Sequence, residues 1–339
     1  MAYELPVVDD TLAWNAMLDV YKVPALAVAI ELDIFESLDA EPDSPEGLAG
    51  RRDFDLRALR ALLPMLMNLG FLREHGGRYQ LSEAGRHYML KRSPFFWGHV
   101  FTRQAANLGP TRLLKETVNR ERERAAVQQR PVDSWEAGNV DMELARSVTA
   151  YMHSHSMPAA VGMTHTFDFS RDRRVLDVGG GSGCFSIALA AADAERRCTV
   201  MELPTICLLA QEYIAEAGLS DRIDTVTVDM FRAAWPEGYD AHFFSNIFHD
   251  WGFDTCLQLA RSSHAALPAG GRILLHEMLL DDSTNTPPHA VAFSLLMAMG
   301  TKGQQFSFPQ LREILQEAGF RNISCQPTYG YYSIVSGEK

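Results

Sequence analysis

Apolar positions follow two different rhythms along this chain. In the first hundred or so residues they recur at the three- and four-residue spacing of a helix face; beyond Phe167 compact apolar runs alternate with helical stretches. In the first part, TLAWNAMLDVYKVPALAVAIELDIFESL predicts helix, with a kink or break at Pro24. DLRALRALLPMLMNLGFLREHGGRYQLSEAGRHYML predicts a Leu- and Met-rich helix ending near Gly70, then a short hairpin turning on Gly76 and Gly77. Helix, helix and small hairpin make a winged-helix pattern. Such a pattern reads DNA in some proteins, whereas the Leu/Met stripe is more simply a core or a dimer face. Between the two parts, TRLLKETVNRERERAAVQQR is charge-dense and predicts a solvated linking helix.

The second part predicts strands at RRVLDVG, RCTVMEL, RIDTVTVDM, YDAHFFSNIF and GRILLHEML. Helices are expected at CFSIALAAADA, PTICLLAQEYIAEAG and DTCLQLARSSHAAL. Alternation of this kind implies a doubly wound α/β domain, with a parallel sheet and helices on both faces. Ligands of such sheets bind beyond the carboxyl ends of the strands. Asp177, Glu202, Asp229, His249 and Glu277 all fall at or just after expected strand ends.

Composition narrows the partners. A net charge of −12 over 339 residues opposes nucleic-acid phosphates, and no apolar run is long enough to cross a bilayer. The acidic start MAYELPVVDD is unlike a secretory signal, so a cytoplasmic location is expected. Five scattered cysteines without paired spacing predict neither a disulfide framework nor a zinc site.

VLDVGGGSG, residues 175–183, carries the candidate chemistry. Its glycines let a ligand press on bare backbone at a helix start. As a dinucleotide fingerprint it is imperfect, because counting from Gly179 and Gly181 puts Cys184 or Ser186 in the third glycine slot. Asp177 would repel a pyrophosphate but attract a cation, by about 4 kcal/mol at 4 Å and an effective dielectric near 20. S-adenosylmethionine, with its sulfonium and ammonium, fits that acid better than NAD does. Glu202 is suited to ribose hydroxyls, Asp229 to the adenine amino group and Met230 to the ring face. His249 follows a strand, and Glu277 ends the next one, where its carboxylate could orient the imidazole as a general base. The pair His153 and His155 in MHSHSM lacks an evident third ligand, so no metal is expected. FSLLMAMG and FFWGHVF are candidate walls of an apolar acceptor pocket.

Taken together, VLDVGGGSG, MELP, VDMF, HDW, LPAGGRILLHE and FSFPQLREILQEAGF resemble the dimeric class I S-adenosylmethionine-dependent O-methyltransferases of the caffeate and hydroxyindole type. That resemblance covers nearly the whole chain. It implies His249 as base and Glu277 as the carboxylate that positions it. It implies a cofactor site of Asp177, Gly179, Gly181, Glu202, Asp229, Met230, Trp251 and Ser156, with Met152, His153, Met297 and Gln305 near the acceptor. Two positions depart from the family pattern: Gln305 replaces a second orienting glutamate of many plant members, and Phe253 an aspartate after HDW. The expected organisation is a winged-helix-like dimerisation domain over 1–108, a helical linker contributing to the acceptor pocket over 109–166, and a Rossmann-like methyltransferase domain over 167–339. The expected activity is methylation of a hydroxyl on a small aromatic acceptor by a homodimer. N-methylation, a non-methylating homologue, an NAD enzyme and a winged-helix regulator stand as alternatives.

Overall fold

A computed structural model describes residues 19, 22–52, 54, 56–106, 140–282, 287, 290, 293, 294, 297 and 300–339. The chain divides into two units, Met1–Leu108 and Gly109–Lys339. The charge-dense stretch 111–130 lies outside the described residues, as does nearly all of the first apolar run before Lys22.

The first unit contains α1 (Lys22–Glu31), α2 (Ile34–Ala40), α3 (Pro45–Arg52), α4 (Leu56–Asn68), β1 (Leu72–His75), β2 (Arg78–Leu81), α5 (Glu83–Tyr88) and α6 (Gly98–Ala106). Pro24 lies near the start of the described part of α1, and the kink or break expected there falls against residues 20 and 21, outside the described residues; within them the run is interrupted at Asp33, with φ of 55°. β1 and β2 pair antiparallel from Leu72 opposite Leu81 to His75 opposite Arg78, the expected hairpin. Phe35, Leu63, Leu66 and Leu81 close the core of this unit.

The second unit contains α7 (Met142–Thr166), β3 (Arg174–Val178), α8 (Cys184–Ala192), β4 (Arg197–Glu202), α9 (Pro204–Glu216), β5 (Ile223–Thr227) and β6 (Ala241–Ser245). It continues through α10 (Phe253–Ala266), β7 (Arg272–Met278), α11 (Phe308–Glu317), β8 (Arg321–Pro327) and β9 (Tyr332–Glu338). The sheet order is β5-β4-β3-β6-β7-β9-β8. Strand order reverses on either side of β3, which makes the carboxyl ends of β3 and β6 the switch point where ligands enter.

The strands expected from the sequence are parallel, and two further strands close the sheet. β3 to β7 are parallel, but β9 runs antiparallel to both β7 and β8, because the short 328–331 connection permits only an antiparallel return. β6 is also shorter than its apolar run suggests. Asn246 adopts φ of 55°, and the chain leaves the sheet there for a 3₁₀ turn at Phe248–Asp250.

Strand alternation divides the core. Leu176, Val178, Phe244, Leu275 and Val335 pack on one side, and Val175, Val200, Phe243, Leu274 and Ile334 on the other. Asp177 has the parity of Val175, so it faces the layer into which α7, α8 and α9 pack.

Candidate active site

The loop after β3 is shaped by close approach. Gly179 has φ of 68°, and a Cβ there would lie 2.5 Å from Ile247 Cδ1, so only glycine lets the loop meet the segment after β6. Beneath the loop Asp177 is buried, and Ser186 Oγ donates to its Oδ2 at 2.7 Å. Ser186 thus supports the acid from a slot that a dinucleotide motif would give to glycine. The other oxygen, Oδ1, is buried without a hydrogen-bond partner. Burial pushes the Asp177 carboxyl up to about 6.

Glu202 closes β4 and spans to the same loop. Its Oε1 accepts the Gly181 N–H at 3.3 Å and its Oε2 the Leu203 N–H at 2.8 Å, while burial pushes it up to about 7. After β5, Asp229 accepts the Phe231 N–H at 2.9 Å and pairs with Arg232 at 3.5 Å. Met230 packs on the core cluster containing Trp251, and Phe231 meets the Trp251 ring edge-on at 4.8 Å. Trp251 is itself buried.

His249 lies in the 3₁₀ turn, buried, with two neighbours at Nδ1: Glu277 Oε2 at 3.1 Å and the Gln305 amide nitrogen at 3.1 Å. β6 and β7 pair in parallel with Ser245 opposite His276, which brings Glu277 beneath the turn. Its Oε1 accepts the N–H groups of Ile247 at 3.2 Å and Phe248 at 3.1 Å. One carboxylate therefore anchors the turn and faces the ring. Burial pulls the His249 imidazole down, but the charge and hydrogen bond of Glu277, the Asp250 charge and the Gln305 contact together outweigh it, and the net direction is up from 6.5. Gln305 arrives on a segment pressed hard against this turn. A Cβ on Gly303 would stand 2.2 Å from the His249 carbonyl oxygen, and Lys302 N–H donates to the Asp250 carbonyl at 3.1 Å. The Phe293 ring meets His249 edge-on at 5.3 Å.

α7 supplies two histidines with different surroundings. His153 Nδ1 lies 2.8 Å from Ser182 Oγ in the glycine loop, and its ring stacks on Tyr213 at 4.3 Å. His155 lies 3.4 Å from Met152 Sδ and 3.3 Å from Ser156 Oγ. Burial, with the His249 charge added, pulls His155 down to about 4. Residues two apart on a helix diverge by about 200°, so these rings serve different neighbourhoods and do not form a chelate. Among the described residues no group of three or more His, Cys, Asp or Glu is arranged to hold a metal ion.

Most of the expected positions converge on the carboxyl ends of β3, β4, β6 and β7. Ser156 is buried against His155, and the described contact from α7 to the glycine loop is made by His153. Met297 is buried, although most of its FSLLMAMG neighbours lie outside the described residues. His155 is named in the sequence only as one of the pair in MHSHSM, and Ser182 carries no signal there beyond its place in the glycine loop. The one available signal for His155 is its helical phase, which separates it from His153.

What this arrangement can do is accept a proton at His249 Nε2 beside a loop whose buried acid favours a cation. The comparisons bear on which reaction uses that ability. Residues 112–321 match the O-methyltransferase domain family, and residues 14–91 match the O-methyltransferase dimerisation domain. The helical unit thus matches a dimerisation module of such enzymes. The chain is 32% identical over 315 residues to 3-hydroxy-5-methyl-1-naphthoate 3-O-methyltransferase of Streptomyces sahachiroi, covering 92% of this chain and 90% of the relative. It is 29% identical over 307 residues to L-tyrosine C(3)-methyltransferase of Streptomyces lavendulae, covering 87% and 82%. The solved structure of PigF with SAH aligns at a TM-score of 0.79 and 26% identity, over 98% of this chain and 100% of that one.

Proposed function

The chain belongs to the S-adenosylmethionine-dependent O-methyltransferase family, and on that premise we propose that it methylates a hydroxyl of a small aromatic, natural-product-like acceptor with His249 as general base. The observation that carries the mechanism is the 3.1 Å approach of Glu277 to His249 Nδ1 at the switch point of the sheet. A proton held on Nδ1 by that carboxylate leaves the Nε2 lone pair to receive one.

The residues present fit the cofactor. The orphaned Asp177 Oδ1 lies under a loop open to close backbone approach, and it supplies negative charge to an ammonium or sulfonium. Gly179 and Gly181 would hold the methionine portion, Glu202 the ribose, and Asp229, Met230 and Trp251 the adenine. His153 joins Ser156 on the cofactor side through Ser182. Met152, Met297 and Gln305 face the acceptor. When bound, S-adenosylmethionine supplies an electrophilic methyl group, and its sulfur keeps the electron pair of the broken C–S bond.

The chain's own contribution is proton removal and alignment. A phenol of pKa near 10 costs about 4 kcal/mol to ionise fully at pH 7. Removing its proton during transfer typically gives 10²–10⁴-fold. The proposed domains follow the same division, with 1–108 for dimerisation, 109–166 as a linker contributing to the acceptor pocket and 167–339 for methyl transfer. We place the homodimer in the cytoplasm. A labelled-methyl assay on hydroxynaphthoates and simple phenols tests the reading: His249→Ala should lower kcat by about 10²–10⁴-fold. Full turnover by that variant on an unactivated phenol would overturn the mechanism.

The tyrosine C(3)-methyltransferase relative favours one second reading, transfer to a ring carbon beside the hydroxyl. The same base would serve it. NMR of the labelled product separates a methoxy group from an aryl methyl.

A further inference from the structure

Two groups converge on His249 Nδ1 at the same 3.1 Å, Glu277 Oε2 and Gln305 Nε2. A ring nitrogen cannot donate to a carboxylate and accept from an amide at once. With the amide nitrogen turned toward the ring, two buried acceptors, Glu277 Oε2 and Gln305 Oε1, have no hydrogen bond. Half a turn of the isosteric amide removes the conflict. Gln305 Oε1 then faces the ring, and one Nδ1–H serves both oxygens.

We propose that Gln305 is a positioning residue that holds His249 in its Nδ1–H tautomer without adding charge, and that the site is consequently built for an acceptor hydroxyl more acidic than an ordinary phenol, such as one conjugated to a ring carbonyl or carboxyl. This deepens the methyltransferase reading and rests on it.

The neutral amide matters because charge this close to an imidazole is strongly felt. A carboxylate in place of Gln305 would raise the basicity of His249 by about 1–3 pKa units. The other groups facing the ring do not replace it. Glu277 from β7 is the single carboxylate at Nδ1, and Asp250, whose carboxyl burial pushes up to about 6, adds a more distant charge 3.8 Å from Nε2 once it ionises above that pH. His155 from α7, pulled down to about 4, is neutral in the working range. Cys256 and Tyr332 are pushed up, first by burial and then by the Glu277 charge, and stay protonated. Phe293 brings no charge. With one charged partner at Nδ1 in place of two, the base is weaker than its carboxylate-flanked counterpart and is matched by an acceptor that meets it partway. The acceptor proton passes to Nε2 as the oxygen's electron pair takes the methyl group, and the imidazolium shares its Nδ1–H between Glu277 and Gln305.

Three full-length proteins test this: wild type, Gln305→Glu and Gln305→Leu, each with ¹⁵N-labelled histidine. NMR against pH reports the tautomer and pKa of His249, and kcat/KM is measured against pH with naphthols whose fluorine substitution lowers hydroxyl pKa at nearly constant size. In wild type we expect the Nδ1–H tautomer and rates that rise steeply as acceptor pKa falls. Gln305→Glu should shift the acid limb and the NMR pKa upward by about one unit or more and extend turnover to less acidic naphthols. Gln305→Leu should mix the tautomers and lower kcat with KM unchanged. An unmoved His249 pKa in Gln305→Glu, or a wild type equally fast on all naphthols, would overturn the proposal. If either variant fails to fold, the wild-type tautomer and acceptor series decide alone. No methyl transfer to any acceptor would instead overturn the underlying reading, while the NMR tautomer still reports on Gln305 itself.

Discussion

Asp177 holds a buried carboxylate with one oxygen unbonded, and Glu202 a half-buried one held by two backbone N–H groups. Burial raises their folded pKa values to about 6 and about 7, so their contribution to stability is full below the unfolded values of 3.8 and 4.5 and is lost as pH rises through those folded values. A cationic ligand relieves most where both are ionised. The thermal shift given by S-adenosylhomocysteine, which retains the ammonium, should therefore be larger at pH 8 than at pH 5.5, and Asp177→Asn should remove much of that difference. Differential scanning fluorimetry measures it, and an equal shift at both pH values would contradict the role given to Asp177. These acids, with His249 and Glu277, were legible in the sequence because a doubly wound sheet collects whatever stands at its strand ends. Ser186 was noticed only as a missing glycine, since its bond to Asp177 depends on how the following helix is phased.

Close approach of the segment 300–307 to the 3₁₀ turn delivers Gln305 to His249. Gly303→Ala forces a methyl group against the His249 carbonyl and against Trp251 N–H, 2.5 Å away, so the turn or the segment must move. We expect a fall in kcat of about tenfold or more, since misplacement by about 1 Å can cost 10²-fold, with the Tm lowered by only a few degrees. Steady-state kinetics and a melting curve read the two separately, and wild-type kcat would refute the claim that the segment positions the base. At this scale the sequence was read well where apolar runs are continuous, as in β3, β4 and β7. β8 was missed because Arg321–Pro327 is largely exposed and lacks a clean alternation. β6 was read too long because the left-handed turn of Asn246 leaves no trace in hydropathy.

As a whole, the molecule joins a unit matching a dimerisation domain to one matching a methyl-transfer domain. Sedimentation equilibrium should give about twice the monomer mass of 37.8 kDa, and a monomer at micromolar concentration would remove the assigned role of the first unit. The family was legible because its motifs are spread along nearly the full length, whereas the antiparallel end of the sheet came only with the structure. That end carries a consequence for biosynthesis. β8 leaves the ribosome before β9, yet β9 lies between β8 and β7 in the finished sheet. Until Tyr332–Glu338 has emerged, β7, which carries Glu277, has an unpaired border, and β8 has no strand to join. A nascent chain stalled just short of β9 would present that border to any other unpaired strand, the situation in which chains self-associate. Translation of this protein is therefore most exposed to misassembly between the emergence of β8 and that of β9, when the other strands of the sheet are already made.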